Sequence, residues 1–352
     1  MLFGYPITAT AENWLHECLC TMVQTIHDSH DAGQAVPAWP GIIPAPHRDK
    51  LRTRTRLRTL LQQYSVAIRK LSILERQQVL TCLAQQNRIA DLVTCATDCE
   101  SLADLPRVIQ VPIADLFGFA FELLTGLGVR DRHYYMIYTT ASNRVCPFCG
   151  CESFDAPGAP REDLDHYLSK SRYPFAAANL RNLAPMGKKC NESYKLGQDI
   201  LRDVAGVRRR SFDPYAKRHI KVTLDNSVPF GGADGQTPAW QIDFDPDSEE
   251  CTTWDDVFHI RERIKRDVLD PSFRQWLGNF SAWFKKRRGI ADPGDAEVLD
   301  AIRTYAEDLM LMGLTACEFL RAPVFQMLHR YCASGDQRVL ALMKNVVTMA
   351  VP

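Results

Sequence analysis

From Ala11 to about Asp31 the apolar residues Trp14, Leu15, Cys18, Leu19, Met22, Val23 and Ile26 recur every three or four positions, the spacing that lines one face of a helix. The next stretch, Ala35–Pro46, contains Pro37, Pro40, Pro44 and Pro46. Each proline fixes φ and lacks an N–H, so a loop is predicted there. Helical spacing resumes over Leu51–Leu71, and Ser72-Ile-Leu-Glu75 has the form of a capping box opening a helix that should run to about Val93. An apolar stretch runs from Pro112 to Leu127 and ends among Gly126 and Gly128, while the aromatic and β-branched run His133–Thr139 suits either a strand or a helix. Beyond residue 200, His219–Leu224 and Trp240–Phe244 alternate with period two around a loop containing Gly and Pro, which predicts a short β-hairpin at 219–244. From Trp254 onward helical spacing dominates, with breaks expected at Pro271, Gly289–Gly294, Pro323 and Gly335. Trp254, Trp276 and Trp283 fall at helical spacing and read as core residues. The expected fold class is mainly α: a helical N-terminal region 1–140, a distinct central segment 141–200, and a mostly helical C-terminal region 201–352.

Composition fits this picture. The chain has 352 residues, 46% of them apolar and 24% charged, which is an ordinary globular balance for a chain of more than one domain. Lys plus Arg and Asp plus Glu both number 42, so binding to nucleic acid through bulk positive charge is excluded and phosphate contacts must come from local patches. Candidates are Arg48–Arg58, Lys188–Lys189, Arg208–Arg210, Lys217–Arg218 and Lys285–Arg288, each of which could equally be a solvated helix face. The opening MLFGYPITATAENW has no basic region followed by an apolar run, so the twelve cysteines are expected in a reducing cytoplasm. No uninterrupted apolar run approaches the roughly 18 residues of a membrane span, and no membrane association is expected.

One segment differs from everything around it: CPFCGCESFDAPGAPREDLDHYLSKSRYPFAAANLRNLAPMGKKCNESYK, Cys146–Lys195. Cys146-Pro-Phe-Cys149 has the spacing that lets two thiolates reach one tetrahedral Zn²⁺, although a redox dithiol or two unrelated cysteines share it. Asp163-Leu-Asp165-His166 places an imidazole beside carboxylates. Such a pair is common on surfaces and in cores, but phosphodiester hydrolysis needs a base for water and a cation for the departing oxygen, and these residue types supply both. Asn182-Leu183, Cys190-Asn191 and Lys195 follow at fixed distances. Lys170, Arg172, Lys188, Lys189 and Lys195 are the basic residues nearby, with Lys170, Lys188, Lys189 and Lys195 the candidates for phosphate contact.

Taken in order, C-x-x-C, D-H, N-L, C-N and K resemble the motif of the HNH endonucleases (ββα-metal, or His-Me finger), in the variant with Asn in place of the last His. YLSKSRYP and NLAP are also similar to the bacterial branch of that family, and Phe212-Asp213-Pro214-Tyr215 resembles an element that follows the motif there, though a turn with a core tyrosine is the simpler reading. The resemblance covers about 50 residues. It implies a small central ββα module gripping one metal ion, with His166 ending the first strand as general base and Asn182 holding the backbone and the imidazole. Asp165 and Asn191 would bind Mg²⁺ or Mn²⁺. Cys146, Cys149 and Cys190 match the structural zinc ligands, but Gly187 stands where zinc-bearing members have a further Cys, and Cys151 is the nearest substitute.

The function implied is metal-dependent cleavage of nucleic acid, DNA before RNA. Helical flanks around such a core resemble effector nucleases of bacterial anti-phage defence, such as the nuclease subunit of Septu-type systems, which implies an ATPase or other defence partner and allows a homo-oligomer. The contrasting reading is a catalytically inactive, zinc-supported nucleic-acid-binding or adaptor module.

Overall fold

A computed structural model describes residues 1–159, 164–314 and 317–348. The chain is mainly helical, with two small antiparallel two-stranded sheets, and it divides into two units. The larger comprises Gly4–Ser142 and Phe154–Lys217, and the smaller Met1–Phe3, Asn143–Ser153 and Arg218–Pro352. This division differs from the three consecutive regions expected, because each unit is assembled from segments far apart in sequence.

In the larger unit, α1 (Trp14–Asp31) buries Leu15, Cys18, Leu19, Met22, Val23 and Ile26, the stripe that its spacing predicts. The proline-rich stretch is irregular, and the short α2 (Arg48–Leu51) leads into α3 (Thr55–Ile68). Helix α4 (Ile73–Gln86) opens with the predicted capping box: Ser72 Oγ accepts from Glu75 N–H at 3.3 Å, and Glu75 Oε2 accepts from Ser72 N–H at 2.8 Å. The helix does not continue to Val93. Asn87 ends it, its side-chain Nδ2 donating to Leu83 O at 2.8 Å, and α5 (Ile89–Val93) restarts after the interruption. Asn competes in this way with the backbone for the i−4 carbonyl.

Helix α6 (Arg107–Gly126) buries Ile109, Ile113, Leu116, Phe117, Ala120, Leu123 and Leu124. Among the described residues it is the one helix long and apolar enough to cross a membrane by length and composition, a property that uninterrupted apolar runs do not reveal. Its buried face lies in the core of this unit together with residues of α1, α3 and α4. His133–Thr139, open to either assignment in the sequence, is helical within α7 (Val129–Thr140), whose apolar and aromatic positions His133, Tyr134 and Ile137 share one buried face. Gly128 precedes it at φ +66°, a left-handed conformation that glycine adopts without strain.

Two three-residue strands follow, β1 (Leu164–His166) and β2 (Leu183–Pro185), with Leu164 opposite Pro185, Asp165 opposite Ala184, and His166 opposite Leu183. A wide helical turn, Cys190–Lys195, comes next. The local order is therefore strand, strand, helical turn.

In the smaller unit the expected hairpin is present: β3 (Lys221–Thr223) pairs with β4 (Asp243–Asp245), Val222 facing Phe244. Helices α8 (Glu249–Phe258), α9 (Ile260–Arg263), α10 (Asp270–Arg288), α11 (Asp295–Leu311), α12 (Arg321–Ala333) and α13 (Gln337–Thr348) follow. Breaks occur at Gly289, with φ +63°, and at Gly335, with φ +89°, but not at two prolines. A wide turn over Ile264–Leu269 joins α9 to α10 without interruption, and Pro271 lies in the first turn of α10. The widened turn accommodates the N–H that proline lacks. Pro323 likewise lies in the first turn of α12, where a missing N–H costs no helical hydrogen bond. Trp254 and Trp276 are buried, as their spacing predicts.

Candidate active site and thiol cluster

The end of β1 carries Asp165 and His166 side by side, and strand alternation sends their side chains to opposite faces. The His166 ring is buried, and its Nε2 lies 3.0 Å from Ala177 O. A carbonyl oxygen can only accept, so Nε2 carries the proton and Nδ1 is the ring's basic nitrogen. The imidazole also packs on the ring of Phe121 from α6, with centroids 4.3 Å apart. Burial above all, and then the positive charges of Lys170, Lys195 and Arg130, hold its pKa down at about 3 despite the bond to Ala177. The ring is therefore neutral at ordinary pH.

Asn182 is fully buried and staples the loop between the strands. Its Oδ1 accepts from Leu168 N–H at 2.6 Å, while its Nδ2 donates to Leu168 O at 2.9 Å and to Ala176 O at 3.2 Å. Its own carbonyl accepts from Tyr167 N–H at 2.8 Å. These bonds fix the segment that carries Ala177, and hence the acceptor that orients His166. The DPY element supports the second strand: the buried Tyr215 hydroxyl donates to the carbonyl of Leu183, the residue opposite His166. Asp213 holds Arg181 at 2.7 Å and accepts from Tyr215 N–H at 2.9 Å, so this element is a turn with a core anchor.

Asp165 meets Lys195 at the far end of the helical turn. Lys195 Nζ stands 2.7 Å from Asp165 Oδ2 and donates to His166 O at 2.7 Å. Only 1% of the Lys195 side chain is exposed, so its assignment as a phosphate contact is corrected: it is an internal cation tying the helical turn to β1. Asp165 Oδ2 receives this charge contact without an aligned hydrogen bond, and desolvation raises the carboxyl's pKa against the opposing pull of Lys195. Asn191 is half-buried in the first turn after Lys189, its N–H donating to Gly187 O at 3.0 Å. A carboxylate and a carboxamide are hard oxygen donors and fit Mg²⁺ or Mn²⁺ in donor type, while Asp165 Oδ2 is already met by the Lys195 ammonium. Lys170, Lys188 and Lys189 are exposed, as phosphate contacts would be, and Lys188 lies 3.9 Å from Glu192. Asp163 lies outside the described residues.

The C-x-x-C segment is a tight turn. Cys149 N–H and Gly150 N–H both donate to Cys146 O, at 3.3 and 2.7 Å, and Cys151 N–H points to Cys149 Sγ at 3.4 Å. Gly150 has φ +70°, and a Cβ there would fall within 2.5 Å of Phe319 and Leu2 side-chain atoms. The sulfurs of Cys146, Cys149 and Cys190 are buried and lie within 4.8 Å of one another, a group that could hold a metal ion such as zinc. Cys151 is not a replacement ligand, because it forms a disulfide with Cys317.

Phe121 and Arg130 are the site residues that sequence reasoning missed. They come from α6 and from the start of α7, and nothing in their local sequence marks them. Neither the family models, nor the curated proteins, nor the solved structures include one that matches this chain.

Proposed function

We propose that this protein is a metal-dependent endonuclease of the HNH type that hydrolyses DNA phosphodiesters. The observation that carries the reading is the fixed, neutral imidazole of His166, proton on Nε2 and base on Nδ1, set at a strand end beside Asp165 within a strand–strand–helical-turn order. His166 Nδ1 takes the proton from the attacking water. Asn182 and Ala177 hold the ring in that tautomer. Asp165 and Asn191 would hold Mg²⁺ or Mn²⁺, which when bound supplies the positive charge that stabilises the departing 3′ oxygen. Zinc on Cys146, Cys149 and Cys190 is structural in this reading, because three thiolates with no reactive group among them anchor chain rather than activate water. The helical remainder would dock the ATPase or other partner of an anti-phage system acting in the cytoplasm.

The test is nicking of supercoiled plasmid in Mg²⁺ or Mn²⁺, with EDTA and His166→Ala controls. Cutting that requires both the metal and His166 supports the reading, and undiminished metal-dependent cutting by purified His166→Ala ends it. The same assay on total RNA reports whether RNA is the substrate instead. A second reading, an inactive nucleic-acid-binding or adaptor module, draws on one observation: Lys195 already neutralises Asp165. Binding of DNA without cutting under any divalent metal would favour it.

A further inference from the structure

The proline-rich stretch between α1 and α3 does not close onto the helices it spans. Against Ile26 of α1 and Leu61 and Val66 of α3 it leaves a cavity of about 390 Å³, within the roughly 300–1,000 Å³ usual for small-molecule sites. Val36, Pro37 and Trp39 form the wall on the loop side, and hydrogen bonds fix that wall in place. Trp39 Nε1 donates to Arg52 O at 2.8 Å. Ile42 N–H donates to Ala38 O at 3.3 Å, across a turn so tight that a Cβ on Gly41 would come within 2.9 Å of the same oxygen. These bonds and the fixed φ of the prolines keep the loop from collapsing inward. Val66 accordingly stays 56% exposed although it is apolar, and apolar area left in water forgoes about 25 cal/mol per Å².

The polar groups of the cavity are few. Arg58, Leu61, Gln62, Ser65 and Val66 recur at three- and four-residue spacing along one face of α3, so Arg58 and Gln62 stand one turn apart at the rim. Both are exposed, and neither side chain makes a hydrogen bond, ion pair or ring contact among the described residues. Ser65 differs, because its Oγ lies 3.0 Å from His30 Nε2 and is committed there.

We infer that this cavity binds a small apolar acid, a molecule with a hydrocarbon body and one carboxylate. The body replaces water on Ile26, Val36, Trp39 and Leu61, and the carboxylate meets the Arg58 guanidinium, whose planar fork matches two oxygens. A neutral ligand of the same shape gains less from that cation, and a cationic ligand is repelled by it. A nucleobase fits less well, because its edge carries several donors and acceptors and Gln62 is the one uncommitted amide in the lining. None of the lining residues belongs to the segment of Asp165 and His166, so the inference does not depend on the nuclease reading.

The experiment titrates the full chain with 4-phenylbutyrate and, separately, with the uncharged amide of the same acid, following the Trp39 indole N–H in ¹H–¹⁵N spectra, assigned by its loss in Trp39→Phe, and the heat of binding by calorimetry. The acid should shift the Trp39 signal and bind about tenfold more tightly than the amide. Arg58→Gln should abolish that preference while leaving the affinity for the amide unchanged. Val66→Trp, which fills the cavity from an exposed position, should abolish binding of both. Lys70→Gln, an exposed lysine just beyond the end of α3, is the control for general charge and should change neither affinity. Arg58 and Val66 are both exposed, so their variants should melt with the wild-type protein. Equal affinity for acid and amide in the wild type, or a preference that survives Arg58→Gln, would overturn the inference. So would binding that Val66→Trp leaves intact, or the failure of both 4-phenylbutyrate and octanoate to bind.

Discussion

Replacing Asn182 by Ala removes the amide that holds the loop over His166. Three buried backbone groups lose their partner at once: Leu168 N–H, Leu168 O and Ala176 O. A buried polar group left unpaired costs about 1–3 kcal/mol, and the 3.2 Å bond to Ala176 is the weakest of the three. With local relaxation the loss should be about 3–5 kcal/mol, a large share of the roughly 5–15 kcal/mol that stabilises a domain. Urea unfolding followed by circular dichroism measures it. Asn182→Asp keeps the acceptor for Leu168 N–H but loses both donations and buries a charge, so it should be no better than Ala. A second readout is the ¹⁵N spectrum of the His166 ring. Wild-type protein should show the Nε2–H tautomer, and Asn182→Ala should shift toward a tautomer mixture as Ala177 O drifts. A loss below about 1 kcal/mol together with an unchanged His166 tautomer would show that neither the loop nor the imidazole depends on this side chain.

Lys195→Met leaves the buried Asp165 without the ammonium in contact with it, and should cost about 3–5 kcal/mol in urea unfolding; adding Asp165→Asn should recover much of that loss, and a strictly additive double variant would contradict the ion pair. Burial lowers the pKa of His16 and of His27 from 6.5 to about 4. Between these values the unfolded chain binds a proton at each site that the folded chain refuses, so stability is full above pH 6.5 and falls on acidification toward pH 4, by about 3 kcal/mol per histidine. His166 and His133, whose pKa burial also lowers, add to the same dependence, so His27→Gln should remove only the share of one histidine, about 3 kcal/mol, and an unaltered slope would refute the assignment. Protein purified under reducing conditions should contain about one zinc per chain by metal analysis, and Cys190→Ser should lose most of it; metal-free wild-type protein would remove zinc from the reading.

What the sequence disclosed and what it hid divide by range. The stripe of α1 and the capping box of Ser72 and Glu75 were legible because their causes lie within one turn or one face. The period-two runs of the β3–β4 hairpin were legible for the same reason. Pro271 and Pro323 misled because a helix breaker in isolation says nothing about position, and a first turn or a widened turn tolerates the missing N–H. Cys151 read as a ligand by nearness to Cys149, whereas its partner Cys317 lies 166 residues away.

The candidate site follows the same rule, with a consequence for how it would work. Asp165, His166, Asn182 and Asn191 sit within one short segment, and their spacing could be read directly. Their environment could not be. The orientation of the imidazole is set by Ala177 O and by Phe121 of α6, the second strand is held by Tyr215, and the charge on Asp165 is met by Lys195. Lys195 looked like a solvent-facing base because lysine usually is one, but its burial is decided by two acceptors on β1. The residues with chemical character are therefore local, while the protonation state and placement of each come from elsewhere in the larger unit. A substitution in α6 such as Phe121→Leu should accordingly disturb His166 more than its distance in sequence suggests. It removes the ring on which the imidazole packs, and the ¹⁵N signals of His166 would report the change without any need for cleavage.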